Sequence, residues 1–146
     1  MDESAYRAAR AAAAPQPCVF EKALLAGCAN CGMAIRRALA EREAIACASP
    51  IARGNCAMLQ ELVRERSTFA LKIGAAGAPL PHAAAMKLQC GGFAGLRTAV
   101  EADDADVHAL VVAAQRRFGS LADLPWQDIV RAVTAWQGRR RRRSGG

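Results

Sequence analysis

The apolar residues of this chain are small, and that limits the folds open to it. Hydrophobic residues make up 53% of the sequence, yet only seven residues are aromatic and Ala carries much of the total. A core of small side chains needs backbones at close approach. Helices rich in Ala, Leu and Arg meet that need, whereas a sheet sandwich would call for more Val, Ile, Thr and Tyr. The expected fold is therefore mainly α: a compact helical domain with at most one short extended segment, plus a C-terminal helical hairpin and a disordered Arg tail. At 146 residues the chain fits one domain of ordinary size with an appendage, long enough to bury a core without disulfide staples.

The order of elements follows from periodicity and punctuation. Residues 3–14, "ESAYRAARAAAA", form a helix by propensity but bury little, and Pro15 and Pro17 end it. Residues 1–17 read as a flexible N-terminal helix and linker. Phe20, Leu24, Cys28, Cys31, Ile35 and Leu39 then fall at spacings of 4, 4, 3, 4 and 4, the pattern of one helix face. Ser49 and Pro50 are good residues to cap and begin the next helix, which is expected to run to about Arg66 with Ala52, Cys56, Leu59 and Val63 inward. "STFALKIG" alternates Phe69, Leu71 and Ile73 and reads as a short extended segment. A short helix from Pro81 is expected to stop at Gly91 and Gly92. This gives a cysteine-rich helical domain over 18–102. "EADDAD" then marks a boundary, and helices over 105–117 and 125–137 form a hairpin over 103–138. Residues 139–146 read as a disordered basic tail.

Charge excludes some partners. Of the 20 basic residues, five are Arg139, Arg140, Arg141, Arg142 and Arg143, and without them the body is close to neutral. Contact with nucleic acid or an acidic partner is expected through that tail alone, since the body offers no basic recognition helix and few aromatics for stacking. The start "MDES" is acidic where a signal peptide wants Lys or Arg, and the uncharged run from Ala23 to Ile35 is too short to span a bilayer. The expected location is cytoplasmic, with no membrane contact.

Six cysteines in a reducing compartment point away from structural disulfides and toward metal or thiol chemistry. Cys28 and Cys31 form a single CxxC on the apolar stripe, without the setting of a thioredoxin-like site. The gaps match neither a zinc ribbon nor a ferredoxin run. Cys18, Cys47, Cys56 and Cys90 instead sit at breaks in regular structure, where ligands from turns converge and free backbone N–H groups bond sulfur. Cys90 ends a helix in this reading, where the helix dipole disfavours a bare thiolate unless a cation holds it. These four are the preferred ligand set, with Cys28, Cys31 and His82 in a second tier; His82, Met86 and Cys90 share a helix face. Their Ala, Gly, Pro and Leu surroundings suit a shielded iron–sulfur cluster of [4Fe–4S] type more than a solvated zinc. Serine at Cys47 or Cys90 is then expected to abolish metal, and at Cys28 and Cys31 to leave most of it.

No phosphate-binding loop, paired acids or supported Cys–His pair is found, so no catalytic constellation is assigned. The expected function is a small cytoplasmic cysteine-ligated metal-binding protein. It would act in electron transfer or redox sensing with a protein redox partner, or as accessory to a larger redox enzyme. The alternative is a helical interaction module with structural zinc or no metal, using the basic tail. A third reading is a metal-free thiol redox switch.

Overall fold

A computed structural model describes residues 2–74 and 77–138. The protein is mainly helical with a single two-stranded sheet among the described residues, as the small apolar residues require. Helix α1 (Glu3–Ala13) is capped by Asp2, whose carboxylate accepts from the Ala5 N–H at 2.7 Å. It buries none of its own residues. Polar contacts hold it instead: Arg42 reaches Glu3 at 2.7 Å and lies over the Tyr6 ring, and Arg10 reaches Glu21.

The run from Phe20 to Leu39 is not one helix. Helix α2 spans only Glu21–Leu25, and the chain turns at Gly27, whose φ of +79° is a left-handed conformation that glycine adopts without strain. Strands β1 (Ala34–Leu39) and β2 (Arg42–Cys47) follow as an antiparallel hairpin, registered from Ala34 opposite Cys47 to Leu39 opposite Arg42. Ala40 takes the left-handed position in the turn, φ 56°, so the Asn-Gly or Asp-Gly signal of a tight hairpin is absent.

Helix α3 (Pro50–Leu71) begins where expected, with the Ser49 hydroxyl accepting from the Ala52 N–H at 3.1 Å. It continues past Arg66, and "STFAL" is its last turns, not an extended segment. The inward face Ala52, Cys56, Leu59 and Val63 gains a further member in Ser67, 1% exposed, which keeps the backbone on the core. The apparent alternation at Phe69 does not reflect burial, since that ring is 96% exposed.

Gly91 and Gly92 also do not end a helix. Helix α4 (His82–Met86), a π-helical turn (Lys87–Gly91) and helix α5 (Gly92–Ala99) run on without interruption. A Cβ at Gly91 would stand 2.7 Å from the Val133 Cα, and one at Gly92 3.1 Å from the Val63 side chain. These glycines admit neighbouring helices. Helix α6 (Val107–Phe118) starts at the Asp106 cap and stops at Gly119, φ 81°, and helix α7 (Trp126–Ala135) follows Pro125.

One main hydrophobic cluster runs from Phe20 and Ile45 through Leu59, Leu88 and Phe93 to Leu110, Ile129 and Val133. Helices α6 and α7 are thus built into the same core as α3 and α5. No helix among the described residues is long and apolar enough to cross a membrane. The expected disorder of the Arg139–Arg143 tail lies outside the described residues.

Candidate metal centre

Four cysteines from four separate parts of the chain wall one cavity: Cys18, Cys31, Cys47 and Cys56. All four are free thiols. Each is fixed by local structure that the sequence dictates. Segment 16–18 lies against β2 as a short bridge, with the Cys18 N–H donating to Ile45 O and the Cys47 N–H to Gln16 O, both at 2.8 Å. That pairing sets Cys18 beside Cys47 at the end of β2. Cys56 projects inward from α3, whose cap at Ser49 lies two residues after Cys47; the Cys47 thiol donates to Ser49 O at 3.2 Å.

Cys31 is placed by a loop pinned to the start of α6. The Asn30 N–H donates to Ala105 O and the Val107 N–H to Asn30 O, each at 2.8 Å. The Gly32 N–H donates to the Asp106 carboxylate at 2.7 Å, while the other oxygen of Asp106 caps α6 through Ala109. A side chain at Gly32 would crowd that carboxylate, its Cβ 3.2 Å from Oδ2. Asp106 therefore holds both the helix start and the loop that presents Cys31.

Phe20, Met33, Ala52 and Val107 complete an apolar lining, joined by Arg53 and His108. Arg53 donates from Nε to Pro17 O at 2.8 Å, tying the segment before Cys18 to α3 and standing a permanent cation at the wall. The cavity is small, about 20 Å³, comparable with the space a single water or ion occupies.

Cys18 and Cys56 are held protonated at neutral pH. Burial pushes Cys18 up to about 11, partly opposed by a backbone hydrogen bond at Phe20, with Cys31 and Cys47 raising it further. Burial likewise pushes Cys56 up to about 12, reinforced by Cys31, Cys18 and Cys47. Four thiolates cannot share this space unless a cation neutralises them, and a cation entering would release protons.

Cys28 and Cys90 are elsewhere. They are joined as a disulfide, Cα–Cα 5.7 Å, linking the loop after α2 to the π-helical turn. Structural disulfides were not expected; in this one Cys90 is buried, 1% exposed, and Cys28 is half-buried. Of the preferred set, Cys18, Cys47 and Cys56 come together and Cys90 does not. Because the helix runs through Gly91 and Gly92, the helix-end argument for Cys90 no longer applies. Its place is taken by Cys31, from the second tier. His82 is outside the cavity lining, its Nδ1 3.3 Å from the Lys22 ammonium. Arg53 and His108 were not singled out as wall residues, and only the fold brings them there. Among the described residues, no three His, Cys, Asp or Glu side chains are already gathered closely enough to hold a single metal ion. No family model, curated protein or solved structure matches the chain.

Proposed function

We propose that the protein is a small cysteine-ligated metal-binding protein whose group is held by Cys18, Cys31, Cys47 and Cys56, and that the group is an iron–sulfur cluster. The observation that carries this reading is the convergence of four unpaired thiols, from four chain segments, on one apolar cavity. An all-cysteine donor set is what a cluster takes, and an apolar wall shields it and tunes its potential. The thiols surround a space rather than meeting at a point. A cluster distributes its ligands over several irons, so it asks for a wider ring of sulfurs than one ion does. Arg53 supplies positive charge toward an anionic occupant.

The chemistry such a group supplies is one-electron transfer or a response to oxidants. The work is accordingly electron transfer, redox sensing or service to a larger redox enzyme, through a protein partner. We place it in the cytoplasm, where four free thiols are preserved, although the Cys28–Cys90 disulfide argues for a more oxidising setting. Structural zinc is the second reading: a cavity of about 20 Å³ has the volume of one ion, but the thiols must draw together to bind it, whereas a cluster must push the loops carrying Cys18, Cys31 and Cys47 outward. Iron, zinc and acid-labile sulfide, measured after anaerobic purification, separate the readings. Iron with matching sulfide supports the cluster, zinc without sulfide supports the second reading, and an empty protein that takes up neither ends both.

A further inference from the structure

Helix α3 carries a second apolar stripe beside the one that faces the core; Leu62 in it leans on the core, and its other apolar members stand exposed. Ile51 is 80% exposed, Met58 52% and Phe69 96%, with Leu62 half-buried between them. Asn55 and Glu65 fill the remaining steps, so the stripe reads 51, 55, 58, 62, 65, 69, alternating 4 and 3. That is the spacing of a coiled-coil seam. It is not a helix face awaiting the core, because Ala52, Cys56, Leu59, Val63 and Ser67, centred about 120° round the helix, already hold another side of α3 inward.

We propose that this face docks on a second copy of the chain, α3 against α3, antiparallel about a two-fold axis. The stripe is complementary to itself in that arrangement. Ile51 of one copy meets Phe69 of the other, Met58 meets Leu62, and Asn55 meets Glu65, each contact made twice. The one charged residue in the seam thus faces an amide that donates to it. A parallel pair would set Glu65 against Glu65, a direct repulsion at the seam. The remaining cost of the antiparallel pair is Glu61 facing its own copy at the exposed rim, where solvent and salt screen it. A stripe of this length, about 27 Å at about 1.5 Å per residue, makes a small interface, so association belongs in the micromolar range. The proposal stands apart from the metal reading, since the stripe faces away from Cys56.

Sedimentation equilibrium of the full chain tests it. Dimer is expected to grow in with concentration, and Phe69→Lys or Met58→Lys to return the protein to monomer with helix content by circular dichroism unchanged; both positions are exposed, so folding is not at stake. Asn55→Lys is expected to tighten the dimer several-fold by facing the partner's Glu65. A protein monomeric at about 0.1 mM, or a dimer indifferent to Phe69→Lys, overturns the docking face. Weakening by Asn55→Lys overturns the antiparallel arrangement, because a parallel pair would set two lysines face to face.

Discussion

The crossing of α5 with α7 and the cavity beside the hairpin use small residues in opposite ways. At the crossing, backbones close in until nothing more fits: a Cβ at Gly91 would lie 2.7 Å from the Val133 Cα, and one at Gly95 3.0 Å from the Ile129 Cα. At the cavity, the small residues are thiols that stand around a small enclosed space. One arrangement is complete as it stands. The other places four ionisable sulfurs among mostly apolar neighbours, with Arg53, His108 and the Ser49 carbonyl as the polar groups beside them, and would gain most from a cation. Residue size alone does not separate packing from binding; what separates them is whether the backbones are allowed to close.

The largest expected effect tests whether the cavity is a site at all. Cys31→Ser is expected to strip bound metal from the purified protein, as are the same changes at Cys18, Cys47 and Cys56. Cys90→Ser is expected to leave metal content intact. Structural metal sites contribute on the order of 10 kcal/mol, so the loss should be nearly complete and readable by elemental analysis. Metal surviving Cys31→Ser but lost with Cys90→Ser would break the comparison, because it would move the site to the packed side of the molecule.

The disulfide joins the two regions, and its removal is the next largest effect. Cys28 and Cys90 are separated by 62 residues, and closing a loop of that length stabilises a fold by about 4 kcal/mol on chain-entropy grounds. Cys28→Ala with Cys90→Ala should lower stability by up to that amount in urea unfolding against the oxidised parent. Metal content should be unchanged. If both fall together, the disulfide positions the Cys31 loop and the two regions are not independent.

Gly91→Ala sharpens the packed half. The new methyl meets backbone at Val133 and the Trp136 Cβ at 3.0 Å, so α7 must shift. A loss of about 1–3 kcal/mol is expected from overpacking, offset in part by the roughly 1 kcal/mol that Ala gains over Gly in a helix. A thermal melt that does not move would mean α7 yields freely and the crossing is not close-packed.

These contrasts also show how far the sequence could be read. The helical class, the Ser49 cap, the Gly119 stop and the helices beyond "EADDAD" rest on local rules, and the structure has them. The region from Phe20 to Leu39 failed because Gly27 breaks the helix and because Ala40 turns the hairpin without a turn-type residue. Ala-rich strands also lack the β-branched signal. Gly91 and Gly92 look like stops in sequence, and only the neighbouring Val133 and Val63 explain them as contacts. Of the four thiols around the cavity, Cys18 and Cys47 stand at breaks in regular structure, as read from the sequence, whereas Cys56 lies within α3. Cys31 was not separated from Cys28, since both fit a stripe that does not exist. The glycines flanking "GCANCG" were the available sign of a loop, and Asp106, which pins that loop, is 74 residues away from Gly32.

The last effect is a pH dependence confined to the metal-free protein. In the unfolded chain a thiol ionises near 9.0, whereas burial moves Cys18 to about 11 and Cys56 to about 12. Between those values the folded protein keeps protons that the unfolded chain has released, so stability falls as pH rises above about 9 and is untouched by these groups below it. Urea midpoints at about pH 8 and about pH 10, taken under anaerobic conditions, should differ in that direction, and Cys18→Ala with Cys56→Ala should flatten the difference. Loading the site reverses the sign. Bound thiolates have no proton to lose at alkaline pH, and the loaded protein is instead weakened by acid, which competes with the metal for sulfur. An alkaline loss that persists after loading would show that Cys18 and Cys56 are not ligands, and would leave the cavity as an unusually thiol-rich piece of core.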